Sequence, residues 1–132
     1  MPERARTRET RQRRIVYDVL CRTRSHPTAD WIYEQARERL PKISLGTVYR
    51  NLNVLRDEGM IREIHGVDRK THFDADMQPH AHFVCTRCGA IRDVIPAPEV
   101  EWRSLKDLVG CEVTHQEIQF RGVCPTCRRR GR

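Results

Sequence analysis

Four cysteines in two identical spacings constrain this chain more than any other feature: Cys85-Thr-Arg-Cys88 and Cys124-Pro-Thr-Cys127. A C-x-x-C turn brings two thiolates together, and a second such turn completes a tetrahedral sulfur site for zinc. With 35 residues between the pairs, that site clamps a strand turn to the C-terminal segment and closes a long loop. The rival readings are a redox-active C-x-x-C and two unrelated turns. A redox pair of the thioredoxin kind opens a helix after a strand, whereas Gly89, a turn residue, follows Cys88. Four thiolates also leave no open coordination position. The expectation is therefore a structural Zn(2+) on Cys85, Cys88, Cys124 and Cys127. The other two cysteines, Cys21 and Cys111, stand in apolar surroundings and are expected as small core residues.

A staple is needed. The chain has 132 residues, 38% of them hydrophobic and 6% aromatic, enough for one ordinary domain or two small ones with thin cores. No apolar run approaches the ~20 residues of a membrane span. The N-terminus is basic and polar with no apolar stretch behind it, unlike a secretory signal. A cytoplasmic protein with no membrane partner is expected.

Net charge is +7, and its placement matters more than its size. Residues 1–74 carry 16 basic side chains against 11 acidic ones. Arg4, Arg6, Arg8, Arg11, Arg13 and Arg14 crowd the first fourteen residues. A cationic arm before a helical module is the footprint of a phosphate-backbone binder, and it is equally the composition of a solvated tail.

Apolar periodicity supplies the architecture. Ile15, Val16, Val19 and Leu20 recur at helical spacing from about Thr10 to Arg22. His26-Pro27 breaks that helix. Thr28 caps a second one reaching Leu40, with Ile32, Ala36 and Leu40 on one face. Ser44 caps a third, carrying Val48, Leu52 and Leu55 and stopped by Gly59. Two alternating runs, Met60–Ile64 and Thr71–Asp74, read as a hairpin through Gly66-Val67-Asp68. Three helices and a hairpin are the order of a winged helix-turn-helix, whose third helix enters the major groove. Beyond Asp74 the pattern predicts strands at His82–Cys85, Ala90–Ile95 and Glu112–Arg121, with one helix after Pro98 carrying Val100, Leu105 and Leu108. The fold class is thus α+β: a winged helix-turn-helix domain over residues 1–75 and a small α/β domain over 76–132. The second is too small to hold together comfortably without a metal or a partner subunit.

A second constellation is rarer. His80-Ala81-His82 places two imidazoles on one face of a strand. Asp74 ends the hairpin, Asp93 follows the first cysteine pair, and His26 stands in a loop of the first module. Singly, each has a mundane reading as a surface histidine or a turn aspartate, and His65, His72 and His115 stay under it. Together the five offer three nitrogens and two carboxylates, suited to iron, manganese or zinc.

The strings His26-Pro-Thr-Ala-Asp30, Ser44-Leu-Gly-Thr-Val-Tyr-Arg-Asn-Leu52, Phe73-Asp74, His80-x-His82-x-x-Cys85-x-x-Cys88-Gly89 and Gly122-x-Cys124-x-x-Cys127 resemble the ferric uptake regulator superfamily. The resemblance runs from roughly Thr10 to Cys127. It implies a winged-helix DNA-binding domain, a C-terminal dimerisation domain with a four-cysteine zinc, and a regulatory metal at the hinge. It also implies a homodimer binding double-stranded DNA at an AT-rich inverted repeat. Position by position, His26, Asp74, His80, His82 and Asp93 match the five regulatory ligands, for Fe(2+) or Mn(2+), of the peroxide-sensing branch. Asp at 93 is that branch's choice, where iron-uptake regulators usually carry Glu. A further site of the iron-uptake pattern falls on Pro79, Ala81 and Gln116, which supply no ligands of the needed kind. The DNA contacts are expected from Arg13, Ser44, Thr47, Tyr49 and Arg50. The family's extra N-terminal helix of about twenty residues is replaced by the short arginine-rich arm, and its usual Thr-Pro-Gln-Arg reads Thr10-Arg11-Gln12-Arg13.

The implied function is a metal-dependent transcriptional repressor, with His26 and His80 the histidines open to iron-catalysed oxidation by peroxide. The alternative is an iron-uptake or other metal-responsive repressor without peroxide sensing. An iron oxygenase also uses His and Asp ligands with an open position, but it needs a substrate pocket and a general base that a chain this short cannot spare. No enzyme activity is expected. A zinc-ribbon or RNA-binding module leaves the third-helix pattern and the ligand set without a use.

Overall fold

In the computed structural model, residues 3–131 are described, with side chains from Arg8 onward. The chain divides into two compact units between Met77 and Gln78, two residues beyond the boundary expected from sequence.

The first unit contains α1 (Glu3–Cys21), α2 (Ala29–Arg37), α3 (Leu45–Asp57) and a hairpin of β1 (Arg62–His65) and β2 (Thr71–Asp74). Its core is the apolar stripe read from the sequence. Val16, Leu20, Ile32, Ala36, Val48, Leu52 and Leu55 are buried, and Phe73 of β2 closes against them. Thr28 caps α2 through the Trp31 amide, and Ser44 Oγ accepts from Thr47 N at 3.1 Å at the head of α3. The hairpin is the wing.

Three expectations for this unit need correction. The arginine-rich arm is not a separate tail, because α1 runs back to Glu3. Arg, Ala and Glu are good helix formers, and no Gly or Pro interrupts them after Pro2. α2 ends at Arg37, yet Leu40 still packs on the core from the turn that follows. Cys21 is exposed, as the last residue of α1, rather than part of the core.

The second unit is a three-stranded sheet in the order β4-β3-β5, made of β3 (Ala81–Cys85), β4 (Ile91–Val94) and β5 (Gln119–Gly122), followed by the short helix α4 (Pro125–Arg129). The central β3 pairs antiparallel with β4 and parallel with β5. The crossover between β4 and β5 lacks the predicted helix. It holds two 3-10 turns, Trp102–Ser104 and Lys106–Leu108, with Leu105 extended between them. Of the three apolar residues expected to seat that helix, Val100 and Leu105 remain exposed at 41% and 45%, and Leu108 is half-buried. A helix this short needs a continuous buried face to persist, and these residues do not form one. The third strand begins only at Gln119, not at Glu112, and Cys111 in the crossover is exposed. The described apolar core of this unit comes down to Ala81, Val84, Cys85 and Cys124, so two of the four expected zinc ligands are themselves core.

Candidate metal centres

The cysteine quartet closes as the spacing demands. β3 delivers Cys85 at its last position, and Gly89, at φ +77°, turns the chain after Cys88. β5 runs beside β3 with Gly122 opposite Cys85. Thr86 locks this register: its amide and hydroxyl both donate to Gly122 O, at 2.7 and 3.1 Å. Cys124 then caps α4, and Cys127 sits in its first turn. The four sulfurs lie within 4.8 Å of one another, with Cys88 and Cys124 Sγ 3.8 Å apart. A tetrahedron with zinc–sulfur bonds near 2.3 Å has edges of about 3.8 Å, so the set fits zinc.

Electrostatics favour the same ion. Cys88 N and Cys124 N donate to Cys85 Sγ at 3.5 and 3.3 Å, and these amides lower its thiol to about 6. The Cys127 amide lowers Cys124 in the same way. Cys127 is pushed up to about 12, chiefly because its thiol hydrogen-bonds to Cys124. Thiolates gathered this closely need a dication, and closing the quartet requires Cys127 to give up its proton.

The second unit also builds a nitrogen–oxygen cluster. His80 and His82 flank Ala81 at the start of β3, and β4 places Asp93 directly opposite His82. His80 Nε2 and His82 Nε2 are 3.0 Å apart, and Asp93 Oδ1 lies 3.3 Å from the first and 3.5 Å from the second. His80 Nδ1–H donates to Gln78 O at 2.7 Å, which leaves Nε2 as the lone-pair end. Metal–ligand bonds near 2.1 Å put adjacent octahedral ligands about 3 Å apart, so these three atoms fit one ion. Both histidines are buried.

The first unit carries a smaller pair. His26 Nε2 lies 3.7 Å from Asp74 Oδ2, and both side chains are nearly buried. Asp74 Oδ1 accepts from Asp76 N at 2.9 Å, which orients the carboxylate. His26 sits at φ +55°. For a non-glycine residue before a proline that conformation costs on the order of 1–3 kcal/mol and persists only where surroundings impose it. They do so here: Phe73 N donates to Pro27 O at 2.9 Å, and His72 Nδ1–H donates to His26 O at 2.6 Å. The sequence reading of His72 as a surface histidine needs correction, because it is half-buried and holds the His26 loop. The readable signal is its period-two spacing from Asp74, together with Asp68 four residues before it.

The residues expected to touch DNA lie on the first unit's helices. α3 turns Val48, Leu52 and Leu55 into the core, while Tyr49 is 45% exposed and Arg50 is exposed beside it. Buried Asn51 donates from Nδ2 to Thr47 O at 2.9 Å and ties down the first turn. Ser44 and Thr47 form the cap, and Arg13 is half-buried on α1.

A winged helix followed by an α/β unit with a cysteine quartet defines a known group of proteins. The family model of the ferric uptake regulator family matches residues 4–121. The chain belongs to that family. As a family member it is 34% identical over 128 residues to the peroxide-responsive repressor PerR of Staphylococcus epidermidis, covering 96% of this chain and 85% of that protein. Its fold is similar to the Campylobacter jejuni peroxide stress regulator, with a TM-score of 0.76, 31% identity and 95% of each chain covered. The Helicobacter pylori ferric uptake regulator Fur, whose structure has three functional metal binding sites, superposes with a TM-score of 0.73 at 25% identity, over 89% of this chain and 80% of that one. The PerR protein of Staphylococcus aureus, likewise named a peroxide-responsive repressor, is 34% identical over 125 residues, covering 94% of this chain and 84% of that protein. Among the described residues, no helix is long and apolar enough to cross a membrane.

Proposed function

We propose that this chain is a metal-dependent, DNA-binding transcriptional repressor that releases its operator when peroxide oxidises a ligand histidine. The observation that carries this is the convergence of His80, His82 and Asp93 at 3.0–3.5 Å. The likeness to PerR proteins and the presence of Asp rather than Glu at 93 support the peroxide reading. So do Pro79 and Ala81, which remove the ligands of a further site.

In this reading the 76–132 domain supplies His80, His82 and Asp93, and the 1–75 domain supplies His26 and Asp74. A metal drawing on both would couple them, so that metal binding and DNA binding share one free energy. Cys85, Cys88, Cys124 and Cys127 hold the structural zinc and stabilise the dimerisation domain. Held by these residues, ferrous iron would supply the redox catalysis that activates peroxide next to the ligand rings, with no net change in the iron, and manganese would not. In net balance one peroxide oxygen enters an imidazole C–H of His26 or His80, the other leaves as water, and the ring loses two electrons. An oxidised ring is a poorer donor. The domains uncouple and α3, with Tyr49, Arg50, Ser44 and Thr47, loses the spacing that two half-sites of an AT-rich inverted repeat require. Arg13 and the other arginines of α1 add phosphate contacts.

The test is a gel shift on an AT-rich inverted repeat with iron- or manganese-loaded protein, before and after micromolar peroxide. Metal-dependent binding that peroxide abolishes only in the iron form supports the reading. Binding that follows iron but survives peroxide, with His26 and His80 unmodified, identifies an iron-uptake regulator, the reading favoured by the fold match to the Helicobacter protein.

A further inference from the structure

The wing turn and the His26 loop are joined by hydrogen bonds that the metal chemistry does not require. His72 stands on β2 with an acceptor at each ring nitrogen. Nδ1–H donates to the His26 carbonyl at 2.6 Å, and Nε2 faces the Asp68 carboxylate at 3.0 and 3.2 Å. Asp68 is itself fixed in the turn, where its Oδ1 accepts from Lys70 N at 3.1 Å. An isolated bridge pairs His72 with Thr28, and Phe73 N donates to Pro27 O, so three successive residues of the loop are held along β2. Gly66 keeps the space open: a Cβ there would meet the His72 ring at 3.2 Å and Asp68 Oδ1 at 3.0 Å.

We propose that His72, seated by Asp68 and given room by Gly66, is a positioning residue that holds His26 in its left-handed backbone conformation and so aims the imidazole at Asp74. Residues with positive φ relax to extended or helical backbone unless something imposes the strain. Here the imposing contact falls on the carbonyl of the strained residue itself. A relaxed His26 swings its ring away from the 3.7 Å approach to Asp74. The clamp also makes the wing turn part of the ligand geometry, so a change in the turn is felt at His26. This role rests on the reading of His26 as a ligand of the regulatory metal.

The experiment is calorimetric titration of Mn(2+) into the full-length, zinc-loaded protein as wild type, His72→Phe, His72→Asn, Gly66→Ala and His26→Ala. Phe keeps the ring and loses the donor, whereas Asn places an amide N–H where Nδ1 stands. His72→Phe should weaken manganese binding by roughly tenfold or more, the usual effect of removing an outer partner of a metal ligand. His72→Asn should recover most of that loss, and Gly66→Ala should weaken binding in the same direction. Zinc content and the thermal unfolding midpoint should stay at wild-type values in all three. Wild-type affinity in both His72→Phe and Gly66→Ala, or equal losses for Phe and Asn, overturns the positioning role. If His26→Ala loses manganese in that case, the ligand reading survives and only the clamp is wrong. If His26→Ala also binds like wild type, it is the ligand reading that fails.

Discussion

His82 on β3 pairs directly with Asp93 on β4, and its Nε2 lies 3.5 Å from the Asp93 carboxylate. Paired residues of an antiparallel ladder share one sheet face, and so does His80, two positions earlier along the chain. The distance between carboxylate and imidazoles is therefore set by the sheet itself, which makes side-chain length at position 93 a sensitive variable.

Asp93→Glu tests that variable. The extra methylene moves the carboxylate outward by about 1.5 Å, one carbon–carbon bond. The ligand type is unchanged, so metal-dependent DNA binding should persist. Oxidation should not, because the geometry around the ion shifts. Mass spectrometry after iron loading and mild peroxide should find a single added oxygen on His26 or His80 in wild type and little in the variant. Equal oxidation of both proteins would show that residue 93 does not tune the reaction.

Cys85→Ser should remove the zinc and most of the second unit's stability. Cys85 is fully buried, and its sulfur accepts from two amides besides facing the other three cysteines. A structural zinc contributes roughly 10–16 kcal/mol, more than the apolar core of so small a unit can replace. Size-exclusion chromatography and circular dichroism should report an unfolded, monomeric C-terminal unit. A folded, zinc-free dimer would contradict the assignment.

Chelation should separate the two kinds of site in wild-type protein. A regulatory ion on nitrogen and oxygen ligands, as proposed, should leave under mild chelator, abolishing operator binding that added manganese restores. Zinc on four thiolates should stay, as metal analysis before and after would record. Loss of zinc at the same chelator concentration would mean that the quartet is not the staple.

Arg50→Ala should weaken operator binding by roughly 1–3 kcal/mol, the usual worth of a base contact from a recognition helix. Arg50 is exposed on α3, and the core face of that helix is carried by Val48, Leu52 and Leu55, so folding should be untouched. Quantitative gel shifts alongside zinc and manganese stoichiometry are the check. An unchanged affinity would place the reading surface elsewhere.

Leu52→Ala should do the reverse. Leu52 is 0% exposed at the centre of the winged-helix core, and such truncations cost roughly 2–5 kcal/mol. Denaturant unfolding of the first unit should shift to lower concentration while zinc content holds. A shift below the measurement error would mean that α3 packs differently.

The local order was legible in the residues. Period-3.6 stripes placed the core faces of α1, α2 and α3. Thr28 and Ser44 marked helix starts, and the two C-x-x-C turns with Gly89 identified a sulfur site. These rest on short-range stereochemistry, which acts over a few residues wherever the segment ends up. What tertiary structure decided is pairing across long separations. The register of β3 against β4 put Asp93 beside His82, and docking of the His26 loop on β2 gave that loop His72 as its clamp. Nothing near His72 in the sequence points to residue 26, forty-six positions away. Burial was decided the same way: Cys21 and Cys111 have apolar neighbours along the chain yet face solvent. The crossover after Pro98 carries helical spacing but no helix, because Val100 and Leu105 stay exposed and its apolar residues gain no continuous buried face. Periodicity states which side of a segment is apolar, and only the assembled fold decides whether that side has anything to pack against.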